Sequence, residues 1–215
     1  MTIRTPLLVL FLLLTPAVVG GHNWQKMVQQ VDYSIVRISY ALPSEYIAQY
    51  GLPEGARSTC TGFSINRQHG YFLTAYHCLN NGTVEGLEVD GESAHLMWAN
   101  IDLDAAALSA RVSRPALRVN SHIEKGMPIG VLGFGYALAD TLFVSGFVAH
   151  PSIQFGPSQP GQWLIMDSAF IGGMSGAPVF DDRGRVIALV QRGNDSIGWG
   201  RPIADIYKAT RIYWQ

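Results

Sequence analysis

The stretch Gly172-Gly173-Met174-Ser175-Gly176-Ala177-Pro178 constrains this chain more than any other. A serine set among glycines, between the mixed stretch Trp163 to Ile171 and the apolar run Val179-Phe180, predicts a tight turn that lifts one hydroxyl clear of its own backbone. Glycines on both sides allow φ > 0 and bring two N–H groups close to a bound carbonyl oxygen, as an oxyanion-binding site requires. Alone, the pattern also fits a plain turn between strands. Its meaning depends on what else the chain carries.

Length and composition set the frame. A chain of 215 residues can bury one substantial core or two small ones, and 23 glycines and 11 prolines among short apolar runs indicate a turn-rich, mostly β protein. With 15 basic and 16 acidic residues and no basic stripe, nucleic acid is excluded as a partner. At the N-terminus, Arg4 precedes the apolar run Pro6 to Leu14, and Val18-Val19-Gly20 offers small residues for a peptidase. Residues 1–20 therefore read as an export signal cut near Gly20, with a short membrane anchor as the alternative if it stays uncleaved. The expected location is secreted or periplasmic. The two cysteines, Cys60 and Cys78, fit that compartment as a disulfide, two buried thiols being the alternative. A hairpin of Cys60 to Ile65 with Tyr71 to Cys78, turning at 66–70, would bring them together. No second ligand pair stands at zinc spacing, so neither a metal nor any other cofactor is expected.

Along the chain, Trp24 to Val31 has helical spacing, whereas Val36, Ile38 and Tyr40 alternate as a strand does. Residues 43–58 read as a loop. Ile129 to Leu132 and Leu142 to Val148 read as strands, Val186 to Val190 as the last long strand, and Ile203 to Trp214 as a closing helix entered at Pro202. Asn81-Gly82-Thr83 fits a glycosylation acceptor and, equally, a polar turn.

Two further stretches carry chemistry. In Leu73-Thr74-Ala75-Tyr76-His77-Cys78 a histidine ends a strand beside a cysteine, so that the backbone sets its ring position, which suits a general base. His22, His69, His95, His122 and His150 have no such setting. In Ile101-Asp102-Leu103-Asp104-Ala105-Ala106-Ala107-Leu108 an acid abuts an apolar run and needs a donor, which an imidazole N–H supplies. Asp104 is preferred and Asp102 is second.

Imidazole, carboxylate and hydroxyl thus follow one another as His77, Asp104, Ser175. The α/β-hydrolases run Ser, acid, His and the subtilisin-like enzymes Asp, His, Ser, so only the chymotrypsin order fits. Here the chain resembles the trypsin-like serine proteases, through Cys60-Thr61-Gly62-Phe63, Thr74-Ala75-Tyr76-His77-Cys78, Asp104-Ala105-Ala106-Ala107-Leu108 and Gly173-Met174-Ser175-Gly176-Ala177-Pro178. Within them it is most similar to the short-loop bacterial group of Htr-type and glutamyl endopeptidases. Asp167-Ser168-Ala169-Phe170, Thr141 to Val148 and Ile197 to Ile203 resemble Htr-type segments.

The resemblance implies an all-β fold: two antiparallel six-stranded barrels over 21–215, meeting at roughly 110–125, with a short N-terminal helix, a C-terminal helix and the active site between the barrels. It implies a serine endopeptidase acting on protein or peptide substrates, with Ser175 as nucleophile, His77 as proton shuttle, Asp104 supporting the imidazolium, and the N–H groups of Gly173 and Ser175 as the oxyanion hole. It makes Cys60 and Cys78 the disulfide bracketing the histidine. Ala169 falls at the base of the first specificity pocket and Val190, Gln191 and Arg192 on its wall, so that a small to medium aliphatic residue is expected, with Arg192 leaving an acidic one open.

Tyr76 stands where a small residue is usual and Ala177 where a glycine is; neither removes a catalytic atom. No Ile-Val-Gly-Gly activation sequence is present. The competing reading is a protease fold that binds a partner without cutting it, which Tyr76 alone favours. A cysteine protease using Cys60 or Cys78 is the weakest reading, since both are expected to be bonded.

Overall fold

Val36 and Ile38 are fully buried on the strand Ile35–Ala41 (β1), where alternation places them facing inward. The computed structural model describes residues 23–66, 70–82, 86–156 and 161–210. The export signal expected at 1–20 lies outside them, as do Thr83 of the glycosylation pattern, the hairpin turn at 67–69 and the tail beyond Thr210.

Helix α1, Trp24–Val31, forms where helical spacing predicts it, and the Asn23 side chain accepts the Lys26 N–H at 2.9 Å to cap it. After β1 come α2 (Ser44–Tyr50), β2 (Arg57–Asn66), β3 (Tyr71–Ala75), a 3₁₀ turn at Tyr76–Gly82, β4 (Glu88–Val89), β5 (Glu92–Asn100) and β6 (Ala105–Ala110). Six of these strands close a barrel in the order β1-β2-β3-β6-β5-β4. The second barrel takes β7 (Pro128–Gly133), β8 (Leu142–Ile153), β9 (Trp163–Asp167), β10 (Pro178–Phe180), β11 (Val186–Gly193) and β12 (Ile197–Pro202), in the order β10-β11-β12-β9-β8-β7. Helix α3, Ile203–Thr210, follows directly from Pro202 and packs on β11 and β12. The expected all-β, double-barrel architecture with a helix at each end is the one observed.

Three readings need correction. Residues 43–58 are not all loop, because α2 forms within them; none of its residues is buried, so it has no apolar face for periodicity to reveal. Strand β12 follows β11, so Val186 to Val190 is not in the last strand, and β11 itself runs on to Gly193; Gly198 and Gly200 dilute the β signal of β12. The hairpin reading carried its second strand to Cys78, yet β3 stops at Ala75. Its last partner in β6 is Ala105, and Asp104, at φ +49°, turns the neighbouring chain out of the ladder.

The cores explain how the halves are held together. Val36, Ile38, Phe72 and Leu108 fill the first barrel around Cys60 and Cys78, and Ile129, Val131, Leu164 and Val179 fill the second. A third cluster bridges them, joining Phe63 and Leu73 of one barrel to Leu132 and Phe180 of the other, with Met27 of α1 and Ile206 of α3. Each large apolar side chain so buried contributes about 1.5–3 kcal/mol, which fixes the barrels as one body and the cleft between them.

Cys60 and Cys78 are bonded, with Cα atoms 5.9 Å apart and 18 residues of separation. Closing a loop of this size contributes about 3 kcal/mol through the unfolded state. The double variant Cys60→Ala/Cys78→Ala is expected to lose about that much in urea unfolding; a change below about 1 kcal/mol would mean that the barrel alone holds the histidine turn.

Candidate active site

The turn between β9 and β10 takes its shape from two glycines. Gly173 stands at φ +98° and a Cβ there would lie 2.2 Å from Phe134 O; Gly176 stands at φ +83° and a Cβ there would lie 2.2 Å from Thr61 O. Only glycine fits either place. Within the turn Met174 N–H donates to Ile171 O at 3.1 Å, Ala177 N–H to Met174 O at 3.0 Å, and Gly176 N–H to Val190 O at 2.8 Å. The other barrel stitches it down. Thr61, fully buried on β2, donates its N–H to Ser175 O at 2.9 Å and its hydroxyl to Gly173 O at 2.8 Å, while the hydroxyl accepts Phe134 N–H at 2.9 Å. With both carbonyls engaged, the N–H groups of Gly173 and Ser175 donate to no acceptor among the described residues. Such a pair of free donors is a ready site for an oxyanion.

His77 is the second residue of the 3₁₀ turn after β3 and faces Asp104. The Asp104 carboxylate accepts His77 N–H through Oδ1 at 2.8 Å and meets Nδ1 through Oδ2 at 2.7 Å. A carboxylate on Nδ1 assigns the proton to that nitrogen and leaves Nε2 with a lone pair. Asp104 itself sits in the left-handed region, where aspartate is among the better tolerated side chains. Its backbone is anchored on both sides: N–H to Ile101 O at 3.0 Å, and carbonyl accepting from Tyr76 N–H at 3.0 Å and Gln191 Nε2 at 2.9 Å. Asp102, by contrast, is exposed, and its carbonyl accepts Arg201 Nη2 at 2.7 Å. Of the two acids, Asp104 is the one at the imidazole.

These groups share one cleft of about 540 Å³, lined by His77, Asp104 and Ser175 and by the wall Val190, Gln191 and Arg192. Ser175 Oγ donates to Gln191 O at 3.2 Å. The disulfide packs behind the turn, Cys78 Sγ lying 3.6 Å from Ser175 O. Ala169, expected at the pocket base, does not line this cleft, whereas Phe170 does. Phe170 packs across the paired glycines Gly193 and Gly198 of β11 and β12: a Cβ on Gly193 would come 2.7 Å from Phe170 Cβ, and one on Gly198 would come 1.7 Å from its ring edge. Sequence reading had placed Phe170 only within a family-like stretch, because the glycines that admit its ring come from β11 and β12.

Two residues in this region stand in family-like stretches of the sequence that give no hint of what they hold. Arg201, fully buried, lies 3.8 Å from the Trp163 ring centroid, and Arg192 of the cleft wall lies 4.8 Å from the same centroid. Burial pushes the Arg201 pKa down, while the charges of Asp104 and Asp205 act the other way. Arg201 ties β12 to the strap before Asp104 and so helps to place the acid. Thr61 is the other: its fold position gives it both carbonyls of the serine turn. Among the described residues no cluster of His, Cys, Asp or Glu could hold a metal ion.

Comparison with known proteins supplies further findings. The family model described as a trypsin-like peptidase domain matches residues 60–189, more than half of the chain. A search of curated proteins gives no match. Among solved structures, a serine-to-alanine mutant of Rv3671c from M. tuberculosis H37Rv, in its inactive form, is 16% identical with TM-score 0.67, covering 85% of this chain and 87% of that one. Deg5 is 15% identical with TM-score 0.69 over 89% of this chain and 95% of its own. The HtrA-type protease AlgW, solved with a decapeptide, is 18% identical with TM-score 0.71, over 87% of this chain and 66% of its own. At these identities the likeness is one of fold.

Proposed function

Because the chain belongs to the family of trypsin-like peptidase domains, and is by that membership a serine endopeptidase acting on peptides, we propose that it cleaves through an acyl-enzyme formed on Ser175, with His77 and Asp104 completing the triad. The observation that carries this reading is the 2.7 Å contact of His77 Nδ1 with Asp104 Oδ2 in the cleft that holds Ser175. His77 Nε2 takes the hydroxyl proton as Oγ attacks the scissile carbonyl, and returns it to the leaving amine as the acyl-enzyme forms. Asp104 holds the tautomer and supports the imidazolium. The N–H groups of Gly173 and Ser175 receive the developing oxyanion. Water then repeats the sequence with the acyl-enzyme as its target.

The reading is tested by treating the protein with a fluorophosphonate and locating the adduct by mass spectrometry. A single adduct on Ser175 is expected. The orientation of Ser175 Oγ toward Gln191 O favours a second reading, a cleft that binds without cutting; absence of an adduct on folded, disulfide-bonded protein would select it. Serine has staggered alternatives at χ1, and unliganded sites are commonly looser than working ones.

The proposal extends to substrate and place. Phe170, packed on the paired Gly193 and Gly198 and lining the cleft, fills the room into which a long side chain would reach, so residues such as Ala or Val are preferred on the acyl side of the scissile bond. Phe170→Ala is expected to raise the kcat/KM ratio for Leu or Phe over Ala there by roughly tenfold or more. A ratio is read because it does not depend on the fraction of active protein, and an unchanged ratio would remove Phe170 from the pocket. A secreted or periplasmic location is supported by the Cys60–Cys78 bond and by the apolar run Pro6 to Leu14 behind Arg4.

A further inference from the structure

The turn after β7 is built against its own backbone preferences. Tyr136 and Ala137 stand in succession at φ +53° and +54°, and Leu138 N–H closes the turn on Gly135 O at 3.0 Å. Residues with a Cβ are disfavoured in this region, and turns of this kind ordinarily carry Asn or Gly. Packing elsewhere must hold it.

That hold comes from the other barrel. Arg37 on β1 donates through Nη2 to the carbonyls of Leu138 and Ala139, the second at 3.0 Å, and its guanidinium lies 4.7 Å from the Phe134 ring centroid. The strained turn delivers one group to the serine turn: Tyr136 N–H donates to Gly172 O at 2.8 Å. All peptide bonds among the described residues are trans, and in a trans peptide C=O and N–H point opposite ways. Fixing Gly172 O on Tyr136 therefore turns Gly173 N–H away from the turn and keeps it free.

We propose that Arg37 is a positioning residue for acyl transfer: by clamping residues 135–139 it sets the Gly172–Gly173 peptide with its N–H presented to the oxyanion. The inference rests on the reading of Gly173 N–H as an oxyanion donor. Arg37 does not line the cleft that holds Ser175. It acts through two carbonyls and one strained turn.

The test uses the whole chain as wild type, Arg37→Ala, Arg37→Lys and Arg37→Ala/Tyr136→Gly/Ala137→Gly. It measures kcat and KM separately on a peptide, and backbone hydrogen exchange over 134–139 and 171–175. Arg37→Ala is expected to lower kcat by on the order of 10- to 100-fold with KM within about twofold, and to speed exchange in both segments. Lysine restores only part of kcat, since an ammonium can donate to both carbonyls as Nη2 does but has no guanidinium plane to lie over the Phe134 ring. The triple variant regains most of kcat, because glycine takes φ > 0 without a clamp. Exchange over 171–175 at the wild-type rate in Arg37→Ala would overturn the proposal whatever the activity; so would a triple variant as slow as Arg37→Ala. A wild type that fails to hydrolyse peptide, yet shows Arg37-dependent exchange over 171–175, would count against the triad and leave the clamp standing.

Discussion

Ser175→Ala is expected to lower kcat/KM for peptide hydrolysis by on the order of 10⁴- to 10⁶-fold and to abolish the fluorophosphonate adduct, with little change in stability. The size follows from what is lost. Among the described residues that line the cleft Ser175 alone carries a hydroxyl, so the variant keeps substrate binding and oxyanion stabilisation but has no atom to acylate. Stability is spared because Ser175 Oγ makes one hydrogen bond, to Gln191 O at 3.2 Å, and the turn is held by backbone groups and Thr61. A single such bond is worth about 1 kcal/mol. His77→Ala is expected to fall about as far, and the double variant no further, since groups that act as a unit are not additive. Full progress curves on a peptide, paired with thermal unfolding, read both quantities. A loss of only about tenfold with the fold intact would assign the hydrolysis to another group.

The contrast between what was legible and what was not has a physical pattern. His77, Asp104 and Ser175 could be read because His77 follows an apolar strand, Asp104 precedes an apolar run and Ser175 stands in a glycine turn, and because their order along the chain separates one enzyme class from its rivals. Gly173 and Gly176 could be read because a positive φ has a one-residue signature. The mostly β character followed from short apolar runs among many turn residues, and the two barrels from the family resemblance; β1 and β3 are short strands with most residues buried. Strand β5 carried no such signal: most of its residues are exposed or half-buried, and a bulge between Leu96 and Trp98 breaks the alternation. Arg37 was invisible for another reason. On β1 it occupies an ordinary half-exposed position, and its partner Ala139 is 102 residues away. Gln191 likewise reads as pocket wall, whereas its side chain reaches across the barrels to the carbonyl of Asp104, 87 residues distant. Local pattern finds groups that do chemistry, because chemistry restricts residue type. It does not find the groups that hold them, because a carbonyl can be engaged by many donors.

Asp104→Asn separates charge from shape at the one acid that faces the imidazole. Asparagine keeps the volume, and with aspartate it is among the few side chains that tolerate the left-handed conformation found here at φ +49°. The backbone anchors from Ile101, Tyr76 and Gln191 do not involve the carboxylate and remain. What changes is the partner of Nδ1. With Oδ1 still accepting His77 N–H, the amide NH₂ comes to face the ring nitrogen and donates to it. The imidazole then carries its proton on Nε2, where the base must be free to accept the Ser175 proton. The expected result is a fall in kcat of about 10⁴-fold with thermal stability near wild type. Asp102→Asn is the control: its side chain is exposed, and the contact it makes with Arg201 runs through its carbonyl. Activity there should stay within about twofold, surface changes of this kind having small effects. If instead Asp104→Asn kept more than about a tenth of the activity, orientation by the backbone would suffice and the carboxylate charge would have no part in the step.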